Sequence, residues 1–207
     1  MTRLGILISG RGSNMKAIGA AAADGRLDAR IAVVLSNRAG AAGLAWAHEQ
    51  RIDTVVVPHR QFPTREAFDL ALVGELRARR VDLVCLAGFM RLLSPAFIAA
   101  YPNAILNIHP SLLPAFPGVD AQRQALEYGV RVSGATVHFV TAELDAGPVI
   151  RQAAVSVSDG DTAETLAARI LEVEHRIYPE AIAEVIAGGW SVAGRRFVRA
   201  RPAATAP

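Results

Sequence analysis

Leu4-Gly5-Ile6-Leu7-Ile8-Ser9-Gly10-Arg11-Gly12-Ser13-Asn14 decides how the chain begins: an apolar run, a glycine-bearing turn, then a helical pattern from Met15 to Ala23. The same order recurs downstream. Ile31 to Leu35 reads as a second strand with a helix around Ala41 to Gln50, and Thr54 to Val57 as a third with a helix from Arg65 to Arg79. Val81 to Ala87 is a fourth strand, Ser94-Pro95 opens a short helix with proline at its first position, and Ala104 to Ile108 is a fifth strand. These strands are continuously apolar rather than alternating, as burial on both faces requires. The expected fold is therefore α/β, a mostly parallel Rossmann-like sheet with helices on both faces.

After residue 110 the pattern changes. Val132 to Val140 and Val149 to Val157 read as two longer strands around an Asp-Ala-Gly-Pro turn, an antiparallel addition in the C-terminal half. A long C-terminal helix follows, opened by a capping box of Asp161 and Glu164 and stopped by Gly188-Gly189. Its apolar residues recur at helical spacing through Leu166, Ile170, Val173 and Ile177. No repeat or linker divides the chain, so residues 1–207 are expected to form a single domain, with halves at 1–103 and 104–190 and a basic tail at 195–207.

Charge narrows the partners. The sequence pI is about 9.6, yet Arg195, Arg196, Arg199 and Arg201 lie in the last thirteen residues, and without them the net charge falls from +3 to −1. A nearly neutral body has no basic stripe to follow a phosphate backbone, so nucleic acid is not expected as a partner. The tail reads as a solvated strand and a frayed end. A single cysteine, Cys85, excludes an internal disulfide, and its apolar setting reads as a small buried hydrophobe. No His or Cys pair has metal-ligand spacing, so no metal is expected. With no signal segment or membrane-length apolar run, the expected location is the cytoplasm.

The loop Ser9 to Asn14 follows a strand and opens a helix, where bare N–H groups and the helix dipole favour an anion. It lacks the third glycine of a dinucleotide fingerprint, and the second strand ends in Ser36-Asn37 rather than a ribose-binding acid. It has no Gly-Lys-Ser/Thr, and Ser13 has no nucleophile-elbow context. A site for one phosphate fits best; a tight turn with Ser or Asn as cap is the plainer alternative.

Asn107-Ile108-His109-Pro110-Ser111-Leu112-Leu113-Pro114 ends the fifth strand, on the edge where open parallel sheets bind ligands. With Ile108 in the core, Asn107 and His109 share the opposite face, where an amide and an imidazole can polarise a carbonyl and move a proton. A satisfied structural pair is the alternative. Asp145 lies in a tight turn that can swing a carboxylate towards His109.

Four strings now stand together: Ser9–Asn14, Ala87–Pro95, Asn107–Pro114 and Gly134–Pro148. In that order, from about residue 3 to residue 190, the chain resembles the phosphoribosylglycinamide formyltransferase family, folate-dependent enzymes of purine synthesis. The Asn-x-His-Pro-Ser-Leu-Leu-Pro string with the distant Asp is specific for folate formyltransferases as a class, and the glycine loop points to the glycinamide ribonucleotide members. The resemblance implies a catalytic trio at Asn107, His109 and Asp145. It implies phosphoribosylglycinamide binding at Gly10, Arg11, Gly12, Ser13 and Asn14, with Glu174 receiving the glycinamide end. It implies a folate cleft at Arg65, Met90, Arg91, Leu92, Leu93, Asn107, Val140, Thr141, Ala142, Glu143, Leu144 and Asp145. The implied co-substrate is 10-formyltetrahydrofolate, without a metal, and the implied partners are small molecules; a homodimer is compatible with the sequence.

Two positions depart from the family's pattern. Gln122 stands where it usually has a histidine, and Ala115 where a larger or charged residue often follows Leu-Leu-Pro; both bear on substrate-side hydrogen bonding rather than on the trio. His138 reads as a packed or hydrogen-bonded histidine, His175 as a neighbour able to orient Glu174, and Ser111 as a turn-former. A formyltransferase acting on initiator tRNA would be expected to carry an added C-terminal domain, and a formyl-folate hydrolase an N-terminal regulatory one. A nucleotide-sensing module would use the loop but not Asn107, His109 and Asp145 together.

Overall fold

The computed structural model describes residues 1–200. In chain order the elements are β1 (Thr2–Ile8), α1 (Ser13–Ala23), β2 (Ala29–Ser36), α2 (Ala42–Glu49), β3 (Thr54–Val56), α3 (Arg65–Ala78), β4 (Leu83–Leu86), α4 (Pro95–Ala100) and β5 (Ile105–His109). They continue with α5 (Ala121–Tyr128), β6 (Val132–Phe139), β7 (Val149–Ser156), α6 (Ala163–Ile186), β8 (Trp190–Ala193) and β9 (Arg196–Arg199). Among the described residues, one sheet holds all nine strands in the order β3-β2-β1-β4-β5-β6-β7-β9-β8. The first five strands pair in parallel, and β5, β6 and β7 are antiparallel neighbours. Two apolar clusters cover the sheet: one gathers residues of α1, α2 and α6, the other residues of α3 and α4. The mixed sheet and long last helix are those expected.

The topology positions the site. From β1 the chain winds outward to β2 and β3, and from β4 it winds the other way to β5, so order reverses between β1 and β4. Loops leaving β1 and β4 then diverge to opposite faces and leave a crevice at the strands' carboxyl ends.

One local expectation needs correction, one helix was not anticipated, and the tail is tied down further than its sequence suggested. The cap of α6 is Thr162, whose side chain accepts from Thr165 N–H while Thr165 returns the bond to the Thr162 backbone. Asp161 instead accepts from Ser158 N–H and pairs with Arg169, because its carboxylate already meets a guanidinium. Helix α5 was not announced by periodicity: its buried positions are only Ala121 and Ala125, and Gly129 ends it at φ 81. The tail forms a largely exposed strand, as expected, but one that is tied to the body of the fold. Strand β9 pairs with β8 and β7, Phe197 and Trp190 lie 6.1 and 5.2 Å from the Phe139 ring, and Arg199 pairs with Glu184. Arg201 and the expected frayed end at 201–207 lie outside the described residues.

Candidate functional site

The turn after β1 is held from beneath. Gly12 caps α1 at φ 69, with no side chain capping the helix, so the N–H groups of the first turn face outward unpaired. A Cβ on Gly12 would stand 2.9 Å from Met15 Cε and 3.2 Å from Gly43 Cα, so the conformation and the packing both call for glycine. Gly43 N–H donates to Gly10 O at 3.0 Å, and Met90 N–H donates to Ser9 Oγ at 2.9 Å. The result is a cleft of about 290 Å³ lined by Ser9–Asn14, Arg38 and the start of the β4 loop. Gly10, Arg11, Gly12, Ser13 and Asn14 thus all line one space sized for a phosphate-bearing group.

Glu174 of α6 reaches the same turn through Asn14. The Tyr178 hydroxyl lies 3.0 Å from the carbonyls of Leu86 and Leu106, which ties α6 to β4 and β5. One turn earlier, Glu174 comes to rest against α1, where its Oε2 accepts from Asn14 Nδ2 at 2.7 Å. It is therefore a buried acid rather than a helix-surface one, and burial raises its carboxyl pKa, partly opposed by the Asn14 bond. Asn14 Oδ1 is buried with no donor, an acceptor open to a ligand N–H or O–H. Nothing couples His175 to Glu174: its Nε2 is buried without a partner, and burial lowers its pKa.

Asn107, His109 and Asp145 converge where β5 meets the β6–β7 turn. His109 Nε2 lies 2.8 Å from Phe116 O, which can only accept, so this nitrogen carries a proton. His109 Nδ1 faces Asp145 Oδ2 at 3.5 Å, an ion-pair contact longer than a formed hydrogen bond. Asp145 thus faces the one ring nitrogen of His109 that the Phe116 bond leaves free. Asp145 stands at φ 48 and accepts from Gly118 N–H at 2.8 Å, so the loop after β5 is pinned over His109 by the same carboxylate. The turn can pass this close because Gly147 lacks a side chain: a Cβ there would lie 1.8 Å from Phe139 O.

His138 belongs to this group as a hydrogen-bonded histidine, one of the two readings its strand position allowed. Antiparallel pairing sets Asn107 directly opposite His138. His138 Nδ1 lies 2.9 Å from Phe139 O and so donates to it, leaving Nε2 to accept from Asn107 Nδ2 at 3.2 Å. Burial lowers the His138 pKa, which keeps the ring neutral and fit for that acceptor role. The Asn107 amide is thereby oriented, with its second N–H still available. The sequence signal was the in-register alternation of the two strands; what it did not say was which strand would lie opposite.

The residues from Met90 to Leu93 divide between wall and core. Met90 and Leu92 are 67% and 55% exposed, and Leu144 of the β6–β7 turn is 53% exposed, whereas Leu93 is buried. Thr141, Ala142 and Glu143 are exposed in that turn, and Val140 is half-buried at its base. Arg65 begins α3, and the Arg91 guanidinium lies 5.4 Å from the Phe68 ring, with its Nε buried and unpartnered. Asp69, overlooked in the sequence, anchors this wall: fully buried on α3, it accepts from Ser94 N–H at 2.5 Å. Its pKa is raised by burial, against the opposing pull of the Ser94 bond and of Arg65 and Arg91.

Other residues read as plainly as expected. Cys85 is buried, its thiol pushed up to about 12 by burial. The Ser111 hydroxyl donates to Ala115 O at 2.5 Å, as a turn-former does. Gln122 lies in the first turn of α5 and Ala115 in the loop before it; neither is a hydrogen-bond partner of Asn107, His109 or Asp145. Among the described residues no cluster of His, Cys, Asp and Glu could hold a metal ion, and no helix is long and apolar enough to cross a membrane.

A polar crevice at a switch point, with an anion-sized turn at one end and an amide–imidazole–carboxylate group at the other, suits an enzyme that transfers a small acyl unit between two bound substrates. The chain belongs to the formyl transferase family, which residues 2–182 match. It is 48% identical to phosphoribosylglycinamide formyltransferase of Escherichia coli (strain K12), over 84% of this chain and 82% of that one. The crystal structure of glycinamide ribonucleotide transformylase 1 from Symbiobacterium toebii superposes with a TM-score of 0.95 at 55% identity, covering 97% of this chain and 95% of that one. The trifunctional purine biosynthetic protein adenosine-3 of Gallus gallus is 47% identical over 92% of this chain, which spans 19% of that longer protein.

Proposed function

We propose that this protein transfers the formyl group of 10-formyltetrahydrofolate to the amine of 5'-phosphoribosylglycinamide, giving 5'-phosphoribosyl-N-formylglycinamide and tetrahydrofolate in purine synthesis. The observation that carries the reading is that two chemically distinct groups stand at the carboxyl ends of β1 and β5, with only β4 between them. At one end, backbone N–H groups at the start of α1 suit the phosphate and Glu174 suits the glycinamide amine. At the other, Asn107 and His109 stand where the formyl oxygen of a folate on the Met90–Leu93 wall would develop charge.

The residues divide the work. Glu174 accepts an N–H of the amine; its raised pKa weakens the pull towards a non-nucleophilic ammonium. As the amine nitrogen bonds to the formyl carbon, the free Asn107 N–H and the His109 ring stabilise the tetrahedral oxyanion. Asp145 holds the His109 ring. His109 assists the proton onto the departing folate nitrogen, and the attacking nitrogen gives up its own. No covalent enzyme intermediate and no metal is needed. Arg65, Arg91, Val140 and the turn Thr141–Asp145 frame the donor, and residues 1–207 act as one formyltransferase domain.

The test is purified protein with 10-formyltetrahydrofolate, with and without the ribonucleotide, followed by folate absorbance. Turnover dependent on the amine supports the reading. Equal turnover without it makes the protein a hydrolase and overturns it.

A further inference from the structure

Residues 90–93, which frame the folate in the reading above, form an arch pinned at both ends by side chains from other elements. The far end is Ser94, whose N–H is held by Asp69 of α3. The near end is Met90, whose N–H donates to Ser9 Oγ at 2.9 Å. Ser9 belongs to the other half of the site, since it leads from β1 into the turn that suits the phosphate. The parallel ladder of β1 and β4 closes there, with Ser9 N–H donating to Gly88 O at 3.1 Å. Gly88 then turns the chain at φ 75. Past that turn, among the described residues, the Ser9 hydroxyl is the one hydrogen-bonded link between residues 9–14 and the arch.

That hydroxyl is aimed. Ser9 Oγ donates to Asn37 Oδ1 at 2.7 Å, and both residues are buried. Asn37 follows β2, which flanks β1 on the side away from β4. Its Nδ2 faces His59 Nδ1 at 3.4 Å, so the amide oxygen is the end turned to Ser9. With its proton committed to Asn37, the hydroxyl keeps a lone pair for the Met90 N–H. An amide oxygen is too weak a base to activate a serine, so Ser9 is no nucleophile. Its donor and an acceptor are both used inside the protein, and it acts on the substrates only through Met90.

Such a link matters because the two reacting atoms arrive on different ligands. The amine nitrogen rides on a ribonucleotide seated at the turn before α1, and the formyl carbon on a folate seated against the arch. Transfer needs the two in line and nearly touching, and a misplacement of about 1 Å can cost roughly 10²-fold in rate. Asp69 refers the arch to α3 alone. Ser9 refers it to the ribonucleotide's turn, and through Asn37 to the end of β2 as well.

We propose that Ser9, aimed by Asn37, is a positioning residue that holds the folate-bearing arch in register with the ribonucleotide's turn. The proposal rests on the transfer reading above. It is tested on the full chain by steady-state kinetics, and by calorimetry with ribose 5-phosphate and tetrahydrofolate as separate probes. Ser9→Ala removes one oxygen atom. Its kcat should fall by about 10–100-fold, while the affinity for each probe alone stays within about threefold of the wild type. Asn37→Ala frees the hydroxyl to rotate without removing it, so kcat should fall less. In the Ser9→Ala background the same change should add little, because both act on one link. Ser9→Ala decides by itself where Asn37→Ala does not fold. An unchanged kcat per folded molecule in Ser9→Ala overturns the proposal, whatever happens to Tm. So does a loss confined to the affinity for one probe, and so does an Asn37→Ala effect that is undiminished in the Ser9→Ala background. A wild type without amine-dependent transfer would overturn the transfer reading and this inference with it, whereas equal transfer by wild type and Ser9→Ala sinks this inference alone.

Discussion

The two ends of the crevice are built by different means. At the end proposed for the ribonucleotide the groups come from a few consecutive residues, Gly10 to Asn14, and most are backbone N–H groups aimed by the start of α1. At the transfer end they are side chains from separate segments, with Asn107 and His109 on β5, His138 on β6 and Asp145 in the following turn. The first end is sensitive to added atoms and relies on few side chains, chiefly Asn14 and Glu174. The second depends on particular functional groups, and each of these is oriented by another.

The largest effects should therefore fall at the transfer end and appear in turnover. Asn107→Ala or His109→Ala should each lower kcat by about 10²–10³-fold, the usual cost of a lost oxyanion donor, with substrate affinities changed only a few-fold. Steady-state kinetics on both substrates checks this. A variant that raises KM at unchanged kcat would make the pair a binding device and erase the contrast.

Glu174→Gln comes next. Replacing the charged acceptor by an amide should lower kcat/KM for the ribonucleotide by about 10–100-fold. The same variant carries a signature in stability. An acid whose pKa is raised on folding binds more protons folded than unfolded, so stability falls as pH rises from the ordinary carboxylate value through the raised one. Glutamine removes that loss. The variant's Tm advantage over the wild type should grow across this window and level off above it; a pH-independent difference would show that burial of the carboxylate carries no such cost.

Asp69→Asn sharpens the comparison from the folate side. The amide keeps an acceptor for Ser94 N–H, but it places an unpaired NH₂ in the core and removes the charge between Arg65 and Arg91. Folate affinity should fall by about five- to tenfold, with the ribonucleotide unaffected. Equal loss of both ligands would reduce Asp69 to a general core residue.

The smallest effect is the most telling about the backbone end. A Cβ at Gly10 meets nothing within 4 Å, whereas one at Gly12 meets Met15 and stands at positive φ. Gly12→Ala should cost about 1–2 kcal/mol of stability by chemical denaturation. Gly10→Ala should cost less than about 0.5 kcal/mol while still weakening the ribonucleotide severalfold, because its methyl group occupies the anion's approach. If Gly10→Ala leaves affinity intact, the turn is scaffolding.

What could be read without the structure follows the same division. The alternation of apolar runs with helical patterns, the glycine turn, the Ser94-Pro95 helix start and the Asn107-Ile108-His109 exit are short-range features, and each stands close to where it was expected. The sheet's parallel first half was legible because strands buried on both faces are apolar throughout. Glu174 was legible by resemblance, yet its burial was not, since that depends on Tyr178 reaching the carbonyls of β4 and β5. His138 entered the site through strand register and Asp69 through a bond to Ser94 on another element, while Phe197 reached the core through a hairpin that returns to Phe139. The sequence by itself determined the local conformations and the chemical inventory, because φ/ψ preference, periodicity and side-chain type act within a few residues. Only the tertiary structure decided which groups face each other, which are buried and which hydrogen-bond partners they keep, because pairing and desolvation join residues that no local pattern connects.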